Sequence, residues 1–182
     1  IEAIDGNEIN DPKPNARFSE KHWNKYALGL VKSFCKVLED AIEKNYKNII
    51  VFEDDVYLEK NFKKKFAKYY KTLPENWNVV QFSGGCHRYP LSYVNDNLLQ
   101  TTETLGTYAM LISNLCFEKL RNICYQEDCP LDDMFSKLQK EGNSYMFYPG
   151  LVIPKEGFSD IVQKECNYNT LFNYKRDPKI DE

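Results

Sequence analysis

Apolar residues recur along this chain in two rhythms. Tyr26, Leu30, Val31, Phe34, Cys35, Leu38, Ala41 and Ile42 return every three or four positions. That period gathers side chains on one stripe of an α-helix, and Ser19 stands where a capping hydroxyl would open it. The segment from Asn48 begins NIIVF, a short run of strand length rich in β-branched residues, which predicts a strand buried on both faces of a parallel sheet. From Glu59 to Lys71 the helical rhythm returns, with Phe62, Phe66, Tyr69 and Tyr70 on one side and six lysines elsewhere. A second strand is predicted over Asn78 to Ser83, ending at Gly84 and Gly85. A β-pair follows, Leu99 to Thr104 with Thr107 to Ser113, hinged at Gly106. Short helices are expected over Asn114 to Cys124 and from Pro130 onward, where a proline's missing N–H costs nothing. The polar stretches from Asp5 to Phe18 and from Pro90 to Asp96 read as loops.

The strand at Asn48 does not end in ordinary turn residues. It runs straight into Glu53, Asp54 and Asp55 before returning to apolar Val56, Tyr57 and Leu58. Open α/β sheets place ligands at the carboxyl ends of their strands, and two unit charges about 4 Å apart repel by roughly 4 kcal/mol at an effective dielectric near 20. In an extended segment Glu53 and Asp55 share a face while Asp54 points away, so the outer pair can grip one ion. Hard carboxylate oxygens suit Mg²⁺ or Mn²⁺, which keep several waters and share their shell with substrate phosphates. The alternative is a solvated loop, or a charge cluster at the start of the helix near Glu59.

Composition narrows the classes. With 182 residues, 42% hydrophobic and 14% aromatic, the chain can bury a core as a single domain spanning 1–182. No repeat, linker or low-complexity tract divides it. A net charge of −3 offers no basic field for a polyanion, which argues against nucleic acid as a partner. No stretch approaches the ~20 apolar residues of a membrane span. The lysine-rich helix could rest peripherally on an anionic membrane, or present solvated lysines over a core-packed aromatic face. The six cysteines form no CxxC pair and only His22 and His87 are available, so no zinc spacing appears. Buried thiols in a reducing, cytoplasmic compartment are expected, with Cys124 to Cys129 the pair spaced to close a small disulfide loop. Ile1 to Gly6 reads as the end of a strand, so the first strand is expected to lie upstream of the chain as given.

Two further features bear on chemistry. Gly84 and Gly85 follow a strand and permit close backbone approach to a ligand such as a cofactor or donor; they equally suit a plain turn. Asp132 and Asp133 open the helix after Pro130, where the helix dipole favours acids. The same position holds a general base rigidly, within reach of an acceptor proton. Both readings stand on the residues alone.

The ordered set of segments resembles glycosyltransferase family 25, the LPS-biosynthesis and procollagen galactosyltransferase type. AIDG at Ala3 to Gly6, the helix from Leu28 to Ala41, IIVFEDDVYL, GTYAMLIS at Gly106 to Ser113, PLDDMF, and YPGLVIP with GFSDI, Tyr148 to Ile161, all match in order. The resemblance implies a GT-A-like, Rossmann-type three-layer α/β sandwich with a mostly parallel central sheet. It implies inverting transfer of a sugar from a nucleotide-diphosphate donor to a hydroxyl on a glycan or glycoprotein acceptor, assisted by Mn²⁺ or Mg²⁺. Carried over by position, Glu53 and Asp55 would hold the metal, Asp54 the metal or donor ribose, and Asp133, or failing that Asp132, would be the base. The C-terminal part lacks the histidine that such enzymes place on the metal, and Ser159 or Asp160 is the substitute on offer. A metal-dependent nucleotidyltransferase and a non-catalytic glycan- or protein-binding relative are the competing classes. The chain shows no Gly-rich, basic N-terminal loop of the first.

Overall fold

The computed structural model describes residues 2–10 and 23–168. A 3₁₀ turn at Gly6–Glu8 leads toward α1 (Lys25–Glu43), whose cap is Asn24; its side-chain oxygen accepts from the Tyr26 and Ala27 amides at 3.1 Å each. Ser19, the cap expected from the sequence, lies outside the described residues. The chain continues through β1 (Asn48–Phe52), β2 (Val56–Leu58), α2 (Phe62–Tyr70), β3 (Val79–Gln81), β4 (Gly85–His87), β5 (Ser92–Asn95), β6 (Leu98–Gln100), β7 (Thr104–Leu105) and β8 (Ala109–Ser113). Then come α3 (Phe117–Cys124), α4 (Leu131–Gln139), β9 (Ser144–Phe147), β10 (Val152–Pro154), β11 (Gly157–Ser159) and β12 (Lys164–Cys166).

Six strands make the central sheet in the order β1-β8-β3-β9-β6-β5. Pleat alternation sorts its side chains into two cores. Val79, Met110 and Ile112 join the stripe residues of α1, α3 and α4 on one face. Val80, Ala109, Leu111, Tyr145 and Phe147 meet α2 and the β10 segment on the other. Helices therefore cover both faces, as a layered α/β sandwich requires.

The direction of the strands corrects the sequence expectation. Among the described residues only β3 and β9 run parallel in this sheet, and the other four neighbouring pairs are antiparallel. The expectation rested on apolar runs, and an apolar run reports burial on both faces rather than direction; β3 and β8, buried throughout, give the same signal in either sense. β1 is corrected too. Among the described residues it is an edge strand paired with β8 alone, and Ile50 and Phe52 remain 41% and 40% exposed. The predicted pair around Gly106 also does not form. β6 and β8 are separated by β3 and β9, β7 pairs instead with β4 across a bulge, and part of the Pro90 to Asp96 loop is the strand β5.

The aromatic face of α2 is used internally: Phe62, Phe66 and Tyr69 pack into the second core, with Phe66 and Phe82 centroids 5.5 Å apart. Lysines rather than an apolar face meet solvent there. No helix among the described residues is long and apolar enough to cross a membrane. All six cysteines are free thiols, so the Cys124 to Cys129 bridge is absent.

Candidate functional site

β1 ends where its chemistry begins. Ile49 and Val51 point into the core formed by α1, α3 and α4, and the Glu53 amide extends the ladder by donating to the Tyr108 carbonyl at 2.9 Å. Two-residue alternation then sets Glu53 on the same side, toward α4. The strand stops there, since Asp54 and Asp55 form a turn. The extended geometry that would have set Glu53 and Asp55 on one face therefore ends before Asp55. The turn is closed from the other side: the Lys155 amide donates to the Asp55 carbonyl at 2.7 Å, continuing the pairing of β2 with β10.

Glu53 is part-buried, and burial pushes its carboxyl up to about 8, with Asp132, Asp55 and Asp54 adding to the shift in that order. The structure thus brings the acids of β1 within electrostatic reach of the first turn of α4. A carboxyl in this position gains if a cation arrives.

The α4 pair is held differently. Neither aspartate caps its own helix. Asp132 Oδ1 accepts the Gly106 amide at 2.8 Å, and the Thr107 hydroxyl bonds the same carboxyl. Burial raises its proton affinity, and the neighbouring Asp133 adds to this against the pull of Gly106, Thr107 and Arg88. Asp133 Oδ1 lies 2.8 Å from Arg88 Nη2 in an ion pair. The loop that presents Gly106 is itself clamped. Gln139 of α4 accepts from the Thr104 amide at 2.7 Å and donates to the Thr104 carbonyl at 2.8 Å, while Gln81 donates to the Gly106 carbonyl at 3.0 Å.

These groups wall a cleft of about 550 Å³ lined by Asp132, Asp133, Arg88, Thr107, Ser159 and Tyr168 among others. Tyr168 links it to the acid turn: its phenol is pushed up to about 12, mainly by burial, with Cys166 and the Asp55 charge contributing and Ser159 opposing. A volume of this size accommodates a small-molecule ligand, with polar groups converging from three parts of the chain.

The sequence profile of glycosyltransferase family 25 (LPS biosynthesis protein) matches residues 1–135, a span that includes the acid turn, the Gly106 loop and both α4 aspartates. The chain belongs to glycosyltransferase family 25. No curated protein matches it at a significant level. Family membership makes it a transferase acting on sugar donor and acceptor substrates, and a GT-A fold follows from the family rather than from the strand directions.

Within this family 25 chain, the acids picked out in the sequence converge: Glu53, Asp54, Asp55 and Asp132 interact, and Asp133 and Ser159 line the adjoining cleft. Gly84 and Gly85 are not among the lining residues. A Cβ on Gly84 would come 2.6 Å from Thr104 Cγ2 and 3.0 Å from Met146 Sδ, so close packing of β4 on β7 and β9 already accounts for that glycine. Nothing in the sequence marks Arg88, Thr107 and Tyr168, because hydrogen-bonding side chains in irregular segments carry no periodic signal. Among the described residues no three His, Cys, Asp or Glu side chains converge tightly enough to cage an ion. The donor set, carboxyl groups crowded around Glu53, nevertheless fits a hard divalent cation that leaves most of its shell to water and phosphate.

Proposed function

We propose that this family 25 member transfers a sugar, with inversion, from a nucleotide-diphosphate donor to a hydroxyl of a glycan or glycoprotein, with Mn²⁺ or Mg²⁺ as its cofactor. The reading is carried by one observation: the Glu53-Asp54-Asp55 turn is electrostatically coupled to Asp132, at the edge of a cleft that Asp133 lines. Glu53 and Asp55 would hold the cation, and Asp54 would contact the donor ribose or the cation. When bound, such an ion stabilises charge developing on a departing diphosphate. Asp133 takes the acceptor's proton from the opposite side of the sugar, with Asp132 next to it as the second candidate. Its place in the first turn of a helix clamped by Gln139 fixes the carboxylate against the cleft wall, and rigid placement of a base is worth more than its intrinsic strength.

The test is steady-state transfer from UDP-galactose, UDP-glucose and GDP-mannose, with release of nucleoside diphosphate followed in Mn²⁺ and in EDTA. The expected result is turnover that depends on Mn²⁺ and disappears in Asp55→Ala. Turnover that survives EDTA removes the metal assignment, and pyrophosphate as the product moves the chain to nucleotidyl transfer.

A further inference from the structure

We propose that Arg88 is a positioning residue for the transfer reaction, orienting the Asp133 carboxylate from the end of a relay that begins at Lys140. The inference rests on the reading of Asp133 as base given above. It starts from an arrangement that cleft binding alone does not require. Arg88 Nη2 lies 2.8 Å from Asp133 Oδ1, while Nη1 lies 3.5 Å from Glu103 Oε2. Glu103 is in turn ion-paired with Lys140, at the C-terminal end of α4. One guanidinium therefore spans two carboxylates, and its planar fork fixes both in direction as a lysine ammonium cannot.

The backbone is built to deliver that guanidinium. The Arg88 amide donates to the Glu103 carbonyl at 3.2 Å, and His87 Nδ1 is 3.0 Å from Thr104 Oγ1. Cys86 and Glu103 sit at φ 51° and 56°, a left-handed conformation that side chains of their kind adopt rarely. Glu103 is 6% exposed overall, so its carboxylate is committed to its two cations. Arg88, by contrast, keeps 45% of its side chain exposed and lines the cleft. A guanidinium anchored by a buried acid on one side and presented to the base on the other acts through Asp133.

Arg88→Ala is expected to lower kcat about 10- to 100-fold, the cost of a loosely held catalytic group, with the donor KM within about threefold of wild type. Millimolar ethylguanidinium is expected to restore part of the turnover of Arg88→Ala and none of that of Asp133→Asn. Arg88→Lys is expected to fall between wild type and Arg88→Ala. Should Arg88→Ala not fold, Glu103→Gln keeps the guanidinium and loosens its anchor; its expected loss in kcat is about threefold or more. A wild-type kcat in Arg88→Ala, or in Glu103→Gln where that variant substitutes for it, overturns the proposal. So does a loss carried by KM alone, since Arg88 would then be a ligand contact. Wild-type protein that transfers from no donor overturns the functional reading and the positioning role together. Wild-type protein that transfers while Arg88→Ala keeps pace overturns only the latter.

Discussion

Glu53 and Asp133 are both carboxylates of one site, set in opposite electrostatic surroundings. Glu53, at the end of β1, has burial and three acidic neighbours acting on it, all in the direction that keeps its proton on. Asp133, at the start of α4, has a guanidinium at 2.8 Å, and its neighbour Asp132 has a backbone amide at 2.8 Å. Glu53 is electrostatically unfinished, whereas Asp133 is paired. The difference fits the proposed division of labour, in which the paired carboxylate would be held for proton transfer and the unfinished one would be left for a cation brought from outside.

The sharpest way to break this contrast is to remove one acid from each side. Asp55→Ala should cost about 10³-fold in turnover, the equivalent of several kcal/mol of charge stabilisation, and should abolish any response to Mn²⁺ while far-UV circular dichroism stays unchanged. Asp133→Asn should cost about 10²-fold or more in kcat while donor affinity, measured by calorimetry with a nonreacting donor analogue and Mn²⁺, holds. Equal losses of donor affinity in the two variants would erase the division.

How far the site could be read from the sequence follows the same line. Glu53, Asp54 and Asp55 stand out because three acids directly after an apolar strand break a pattern, and Asp132 with Asp133 stand out because Pro130 marks a helix start. Both signals are local, and the structure brings them together. The helices α1 and α2 were legible through their period, and α4 through the proline at its start. Strand direction was not, because β3 and β8 are buried on both faces whichever way their neighbours run. Arg88, Glu103 and Lys140 were also out of reach, since their pairing depends on β4 lying beside β7 and on the length of α4. Gly84 shows the limit from the other side. A glycine after a strand suggested ligand approach, and the neighbouring Thr104 and Met146 supply a packing reason instead.

That packing reason has its own consequence. Gly84→Ala places a methyl against Thr104 and Met146, an overpacking expected to cost about 1–3 kcal/mol, visible as a lower urea midpoint at unchanged m-value. If packing is the whole role, the donor KM of the folded variant stays at its wild-type value. A raised KM at unchanged stability would return Gly84 to the ligand site and extend the cleft toward β4.

The smallest expected effect tests the unfinished cluster most directly. The Glu53 carboxyl, near 8 when folded against an ordinary value of 4.5, binds its proton more tightly in the folded chain than in the unfolded one. Between those two values the folded state holds protons that the unfolded state gives up, so stability falls as pH rises through this window and levels off above about 8. Glu53→Gln removes the titration. In EDTA the variant should therefore match the wild type near pH 5 and exceed it near pH 8, read as a higher Tm at the upper pH only. Mn²⁺ should narrow the gap at pH 8 by stabilising only the wild type, because a ligand that binds the folded state raises its apparent stability. A stabilised but inactive variant is the outcome expected of a residue kept at a cost to the fold for the sake of function. A variant less stable than wild type at pH 8 would mean that the Glu53 charge is already satisfied within the protein, and the contrast between the two clusters would disappear.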